Sequence, residues 1–130
     1  GSSGAPAQIA ATGSASIATN NFVIAASGLP PFTVGLFFYG PEQTQLASGL
    51  GNLCVVGNSQ APAVRLYPAV QAGILGSVAR AVDFNDPNQS TGPGAILPGM
   101  TLNFQCYFRD NVSGVPTFNF SDAMSVLFCP

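Results

Sequence analysis

The dominant pattern along the chain is short alternation of apolar and polar positions, with a period of two and not 3.6. In Thr101–Phe108, the residues Leu102, Phe104, Cys106 and Phe108 alternate with Asn103, Gln105 and Tyr107. This predicts a strand with the first set on the core and the second facing out. Ser77–Phe84 alternates in the same way, with Val78, Val82 and Phe84 on one parity. Arg80 shares that parity, so its charge must snorkel at an edge or pair with an acid. Phe32–Tyr39 is a near-continuous apolar run between Pro30-Pro31 and Gly40-Pro41, as expected of a central strand covered on both faces. Shorter runs predict strands over Ser14–Thr19, Phe22–Ala25, Leu53–Val56, Ala63–Tyr67 (ended by Pro68) and Met124–Cys129. The last of these puts Met124, Val126 and Phe128 on one face. Apolar spacing at i, i+3, i+4 is missing, and Pro or Gly interrupts nearly every window long enough for a helix. Asn85–Pro98, rich in Asp, Asn, Gly and Pro, reads as the longest loop.

About nine short strands, with turn signals every roughly 8–14 residues, predict an all-β fold. The expected architecture is a single antiparallel β-sandwich of Greek-key or jelly-roll type over residues 1–130, with a closed β-barrel as the alternative. At 130 residues and 47% apolar content the chain can bury one core, and its fifteen Gly and eleven Pro mark frequent turns.

Charge narrows the functional classes. The chain carries three Arg, five acids, no Lys and no His, so 6% of it is charged against about a quarter in ordinary domains. The first charge is Glu42. Three arginines at net charge −2 provide no basic stripe for phosphates, which excludes nucleic acid as a partner. No apolar run reaches the ~18–20 residues of a membrane-spanning helix. Without His or Lys no familiar triad can form around Ser or Cys. Asp110 and Asp122 offer a carboxylate pair of the kind that hydrolyses glycosides, but acids at strand ends read more simply as turn or salt-bridge residues. The chain therefore reads as non-catalytic, with no cofactor.

Several smaller constellations remain. Arg109-Asp110 after the aromatic strand and Asp122 before the last one suggest an ion pair fixing strand ends, with the planar Arg109 fork holding a carboxylate. Asp83, Asn85, Asp86 and Asn88 in DFNDPN supply oxygens at loop spacing for calcium. They lack the Gly and bidentate Glu of a helix–loop–helix site, and an Asx-rich turn capping a strand is favoured over a metal site. Cys54, Cys106 and Cys129 fit no zinc spacing. Cys106 and Cys129 fall on the last two strands, where a disulfide would close the pair. Cys54 is then a buried thiol or the partner of a cysteine elsewhere, and three small buried hydrophobes is the alternative for all three. With no Trp, the amphipathic rings are Tyr39, Tyr67 and Tyr107. Tyr107, of outward parity, is the candidate stacking platform for a glycan, against the plainer reading of a sheet tyrosine.

The opening GAPAQIAATGSASIATNNFVIAASGLPP, the segment FFYGPEQTQLASGLGNLCVVG, the order RLYPAVQA then GSVARAVDF, and the closing LNFQCYFRD and FNFSDAMSVLFCP together carry a resemblance. The chain resembles a β-rich domain of uncharacterised secreted proteins of planctomycete-type bacteria, over nearly its whole length. FQCYFRD and FNFSDAMSVLFCP are the most specific phrases. The resemblance implies an extracellular or cell-surface setting, supports pairing of Cys106 with Cys129, and allows Cys54 a partner upstream. It offers no catalytic residues.

Natural sheets guard their edges with charge, above all Lys, and the stretch Gln8–Ala26 has none. The reading that follows is an exported structural module that self-associates through strand edges in a filament, surface layer or adhesive array. A carbohydrate-binding accessory module of an exported protein is the alternative, and an inert stability cap is a third.

Overall fold

The computed structural model describes residues 6–130, the side chain of Val112 excepted. Residues 1–5 of the expected 1–130 unit lie outside the described residues. In chain order the strands are β1 (Gln8–Thr12), β2 (Val23–Ser27), β3 (Val34–Gly40), β4 (Glu42–Ser48), β5 (Gly51–Val56), β6 (Val64–Gln71), β7 (Val78–Ala81), β8 (Thr101–Val112) and β9 (Val115–Leu127). They form a three-stranded sheet ordered β1-β2-β7, a four-stranded sheet ordered β6-β3-β8-β9, and the hairpin β4-β5. All pairings between these strands are antiparallel.

The two larger sheets face each other across one core, giving the all-β sandwich that alternation predicts and not the closed barrel. Ile9, Ile24, Ala26 and Val78 descend from one sheet; Phe37, Tyr39, Phe104, Cys106 and Phe108 rise from the other. Phe22, Phe84, Phe104 and Phe128 form an aromatic cluster, with ring centroids 5.5 to 6.1 Å apart in mostly edge-on or tilted pairs. One end is closed by a short helix, α1 (Pro87–Ser90), and the 3-10 turn Gly92–Gly94. The buried Tyr39 hydroxyl donates to Gly94 O at 2.6 Å and accepts from Gln89 Nε2 at 3.3 Å, so the loop is tied to β3.

Charged side chains stitch the seams between the sheets. On one side, Asp122 of β9 accepts from the Ile9 amide at 2.7 Å, while its own amide donates to Ala7 O at 3.1 Å. On the other, the Arg80 guanidinium donates to Pro68 O at 3.1 Å and to Tyr67 O. Arg80 thus keeps the inward parity of the valines and delivers its charge to the carbonyls of β6 at the margin.

Several expectations change. Ser14–Thr19 is not a strand: the first strand ends at Thr12, and the chain reverses at Gly13, where φ is +80° and a Cβ would lie 2.0 Å from Asn21 O. Ser16 then makes an isolated parallel bridge with Cys129. β6, an edge strand, runs on through Pro68 after a cis Tyr67–Pro68 bond, where its register with β3 shifts between Gly35 and Phe37. β8 and β9 extend past Phe108 to a tight turn at Ser113-Gly114, both at positive φ (52° and 80°).

That register also overturns the Cys106–Cys129 disulfide. Thr101 pairs with Leu127, so Cys129 lies beyond that end of the β8–β9 hairpin. Cys106 stands five residues further along β8, roughly 17 Å away, whereas bridged Cα atoms lie within about 7 Å. All three thiols are free: Cys106 buried, Cys54 half-buried and Cys129 exposed. The expected Arg109–Asp110–Asp122 ion pair gives way to carboxylate-to-amide bonding. Alternation sends exposed Arg109 and buried Asp110 to opposite faces of β8. Asp110 accepts from Asn111 N at 2.8 Å and Asn119 Nδ2 at 3.3 Å. At DFNDPN, the calcium candidate, Asp83 and Asp86 each form an Asx turn. Asp83 accepts from Asn85 N (2.9 Å) and Asn20 Nδ2 (3.0 Å), and Asp86 caps α1 by accepting from Asn88 N (2.9 Å).

Candidate binding cleft

Two outward residues of β8 do not meet solvent. Gln105 is fully buried and Asn103 nearly so, because the β4–β5 hairpin lies over them. Alternation alone does not reveal this cover, since Glu42–Ser48 (EQTQLAS) carries almost no apolar signal. The docking is polar. Gln105 Oε1 accepts from Cys54 N at 2.9 Å, and Nε2 donates to Asn52 O at 2.9 Å and Ser121 O at 2.7 Å. Gln43 Nε2 donates to Asn103 Oδ1 at 3.0 Å and Ser125 Oγ at 2.9 Å, and the Ser125 hydroxyl donates to Asn103 Oδ1. The hairpin tip reaches β9, where Leu50 N donates to Phe118 O at 2.9 Å. Only glycine fits beside that contact: at Gly49 φ is +56°, and a Cβ would sit 2.5 Å from Phe118 O.

The hairpin sits on the β8–β9 half of the sheet and leaves the β6–β3 half open. The result is a cleft of about 770 Å³. Leu36 and Phe38 of β3, Tyr107 of β8 and Phe120 of β9 make its floor; Val55 and Val56 of β5 form one wall, and Arg65 and Tyr67 of β6 the other. The near-continuous apolar run of β3 is the sequence signal for this site, because Leu36 and Phe38 need cover on the face opposite the core. Tyr107 is half-buried within an aromatic stack, 5.4 Å from Phe118 and 5.6 Å from Phe120 between ring centroids, so its ring is part of the floor and not a free platform. Phe38 meets Phe120 edge-on at 6.2 Å. Among the described residues, Arg65 is the one charged residue lining the cleft, and its Nη1 lies 3.5 Å from the Tyr67 hydroxyl. No acidic side chain joins Arg65 in the lining.

The opposite surface of the molecule is of another kind. On the outer face of β1-β2-β7, register aligns Ala10 with Ala25 and Ala79, and Thr12 with Val23 and Ala81. Gln8 stands opposite Ser27 beside them. None of these side chains is charged or larger than Gln.

Inside the core, burial pushes the Cys106 thiol up to about 12, against a smaller opposing pull from the Leu36 backbone. The unfolded chain sheds this proton above about pH 9 while the folded chain keeps it. The folded state then binds more protons, so stability is full below pH 9 and falls as pH rises towards 12, by up to about 1.4 kcal/mol per pH unit. Burial also raises the Tyr39 hydroxyl, which adds to the loss at the upper end. Urea unfolding from pH 8 to pH 11 is expected to show this decline in the wild type and a shallower one in Cys106→Ala.

Compared with known protein families, curated proteins and solved structures, the chain matches none.

Proposed function

We propose that this domain is a non-catalytic structural and interaction module that associates with copies of itself through the sheet β1-β2-β7, as a unit of an extracellular filament, surface layer or adhesive array. The observation that carries the reading is the outer face of that sheet, with aligned alanines at Ala10, Ala25 and Ala79 and no charge on its outward positions. Small side chains let an identical face approach closely, and the one carboxylate bordering it, Asp122, is engaged by the Ile9 amide. The edge of β1 contributes less than the sequence alone implies, because Asp122 already occupies the Ile9 amide. The face is therefore the larger part of the contact. The resemblance to secreted domains supports the extracellular setting.

Sedimentation over a concentration series tests this. The wild type is expected to associate reversibly, and Ala79→Lys, which places a charge in the exposed alanine row, is expected to sediment as a monomer with unchanged far-UV circular dichroism. A wild type that remains monomeric up to about 1 mM, where even a −4 kcal/mol contact is half formed, would sink the reading.

A further inference from the structure

We propose that the cleft between β5 and β6 binds a small amphiphile with an apolar body and one carboxylate head, such as a medium-chain fatty acid or an aromatic carboxylate. Three observations point to this class. At about 770 Å³ the cleft has the size of small-molecule pockets, which run to roughly 300–1,000 Å³. Its floor and the β5 wall are aliphatic or aromatic, from Leu36, Phe38, Val55, Val56, Tyr107 and Phe120, so they take an apolar chain or ring, and the Tyr107 hydroxyl is the one polar side-chain group among them.

The other polar side chains of the lining, and its charge, stand on the β6 wall. Arg65 and the Tyr67 hydroxyl stand together, and the lining contains no acid to neutralise the guanidinium. A planar guanidinium beside a phenol is suited to a carboxylate, which accepts from both. A neutral sugar fits less well, since each hydroxyl taken from water into this floor would lose its partner. The cleft lies on the face away from the alanine rows, so binding here does not depend on self-association.

Calorimetric titration with dodecanoate below its micelle concentration is the test, with dodecan-1-ol, dodecyltrimethylammonium and maltohexaose as comparison ligands. Dodecanoate is expected to bind one molecule per chain and more tightly than the alcohol or the cation, and the saccharide is expected not to bind. Arg65→Gln is expected to weaken dodecanoate by about five-fold, the size of a partly exposed ion pair, and to leave dodecan-1-ol unchanged. Val56→Trp, which fills the cleft from its rim, is expected to abolish both; circular dichroism and urea unfolding of each variant verify that it folds. The proposal fails if no saturable binding occurs, if the cation binds as well as the anion, if Arg65→Gln has no effect, or if the saccharide is the ligand that binds.

Discussion

Gln105→Ala is expected to lower the free energy of unfolding by about 3 kcal/mol and to release the β4–β5 hairpin from the sheet. The side chain is fully buried and satisfies three backbone groups at once: Cys54 N and Asn52 O on the hairpin, and Ser121 O on β9. Removing it strands those groups, each at about 1–3 kcal/mol when water cannot replace the partner. Asn52 is exposed, so part of the loss on the hairpin side is recovered by hydration, which keeps the total near the lower end. Amide hydrogen exchange separates the two consequences. Exchange at Cys54 and along β5 is expected to speed up by orders of magnitude, while the amides of β2 and β3 change only through global stability. If all strands accelerate equally, the hairpin is not a separately docked layer.

Phe104→Ala is expected to have the larger effect, about 3–5 kcal/mol, corresponding to a fall of roughly 10–20 °C in Tm. Phe104 is fully buried where the two sheets and the C-terminal segment meet. Its ring lies 5.4 Å from Tyr39, 5.8 Å from Phe22 and 6.0 Å from Phe128. Neighbours drawn from three separate segments cannot all collapse into one gap, so the cavity persists and the cost stays high. Phe104→Leu, which keeps most of the volume, is expected to lose less than half as much in the same denaturant titration.

The core was legible in the sequence and its outer cover was not. Leu102, Phe104, Cys106 and Phe108 alternate so regularly that β8 and its inward face follow from period two alone. Arg80 breaks the pattern without breaking the strand, because its long stem reaches the seam. What escaped was held by polar groups. β4 carries Glu42, Gln43, Thr44 and Gln45, and it docks through amides, so no hydrophobic pattern marks it. The expected strands stop at Phe108 and resume at Met124, so the distal part of the β8–β9 hairpin, around the turn at Ser113-Gly114, lay outside them. The disulfide expectation failed for a related reason. Strand membership was right for Cys106, but register, which sets distance along a strand, depends on the turn at Ser113-Gly114. For the cleft, Tyr107 pointed to the correct face, whereas Arg65 and Phe120 join it only through the sheet order.

The three free thiols stand in three different layers: Cys54 on the hairpin, Cys106 in the core, and Cys129 in the tail that bridges to Ser16. That distribution makes the protein its own stopwatch. A brief pulse of alkylating reagent marks the exposed Cys129 at once, the half-buried Cys54 more slowly, and Cys106 only when the whole sandwich opens, with peptide mass spectrometry assigning each mark. The lag of Cys106 behind Cys129 then times the opening of the core against the reagent's own rate, without introducing a single probe.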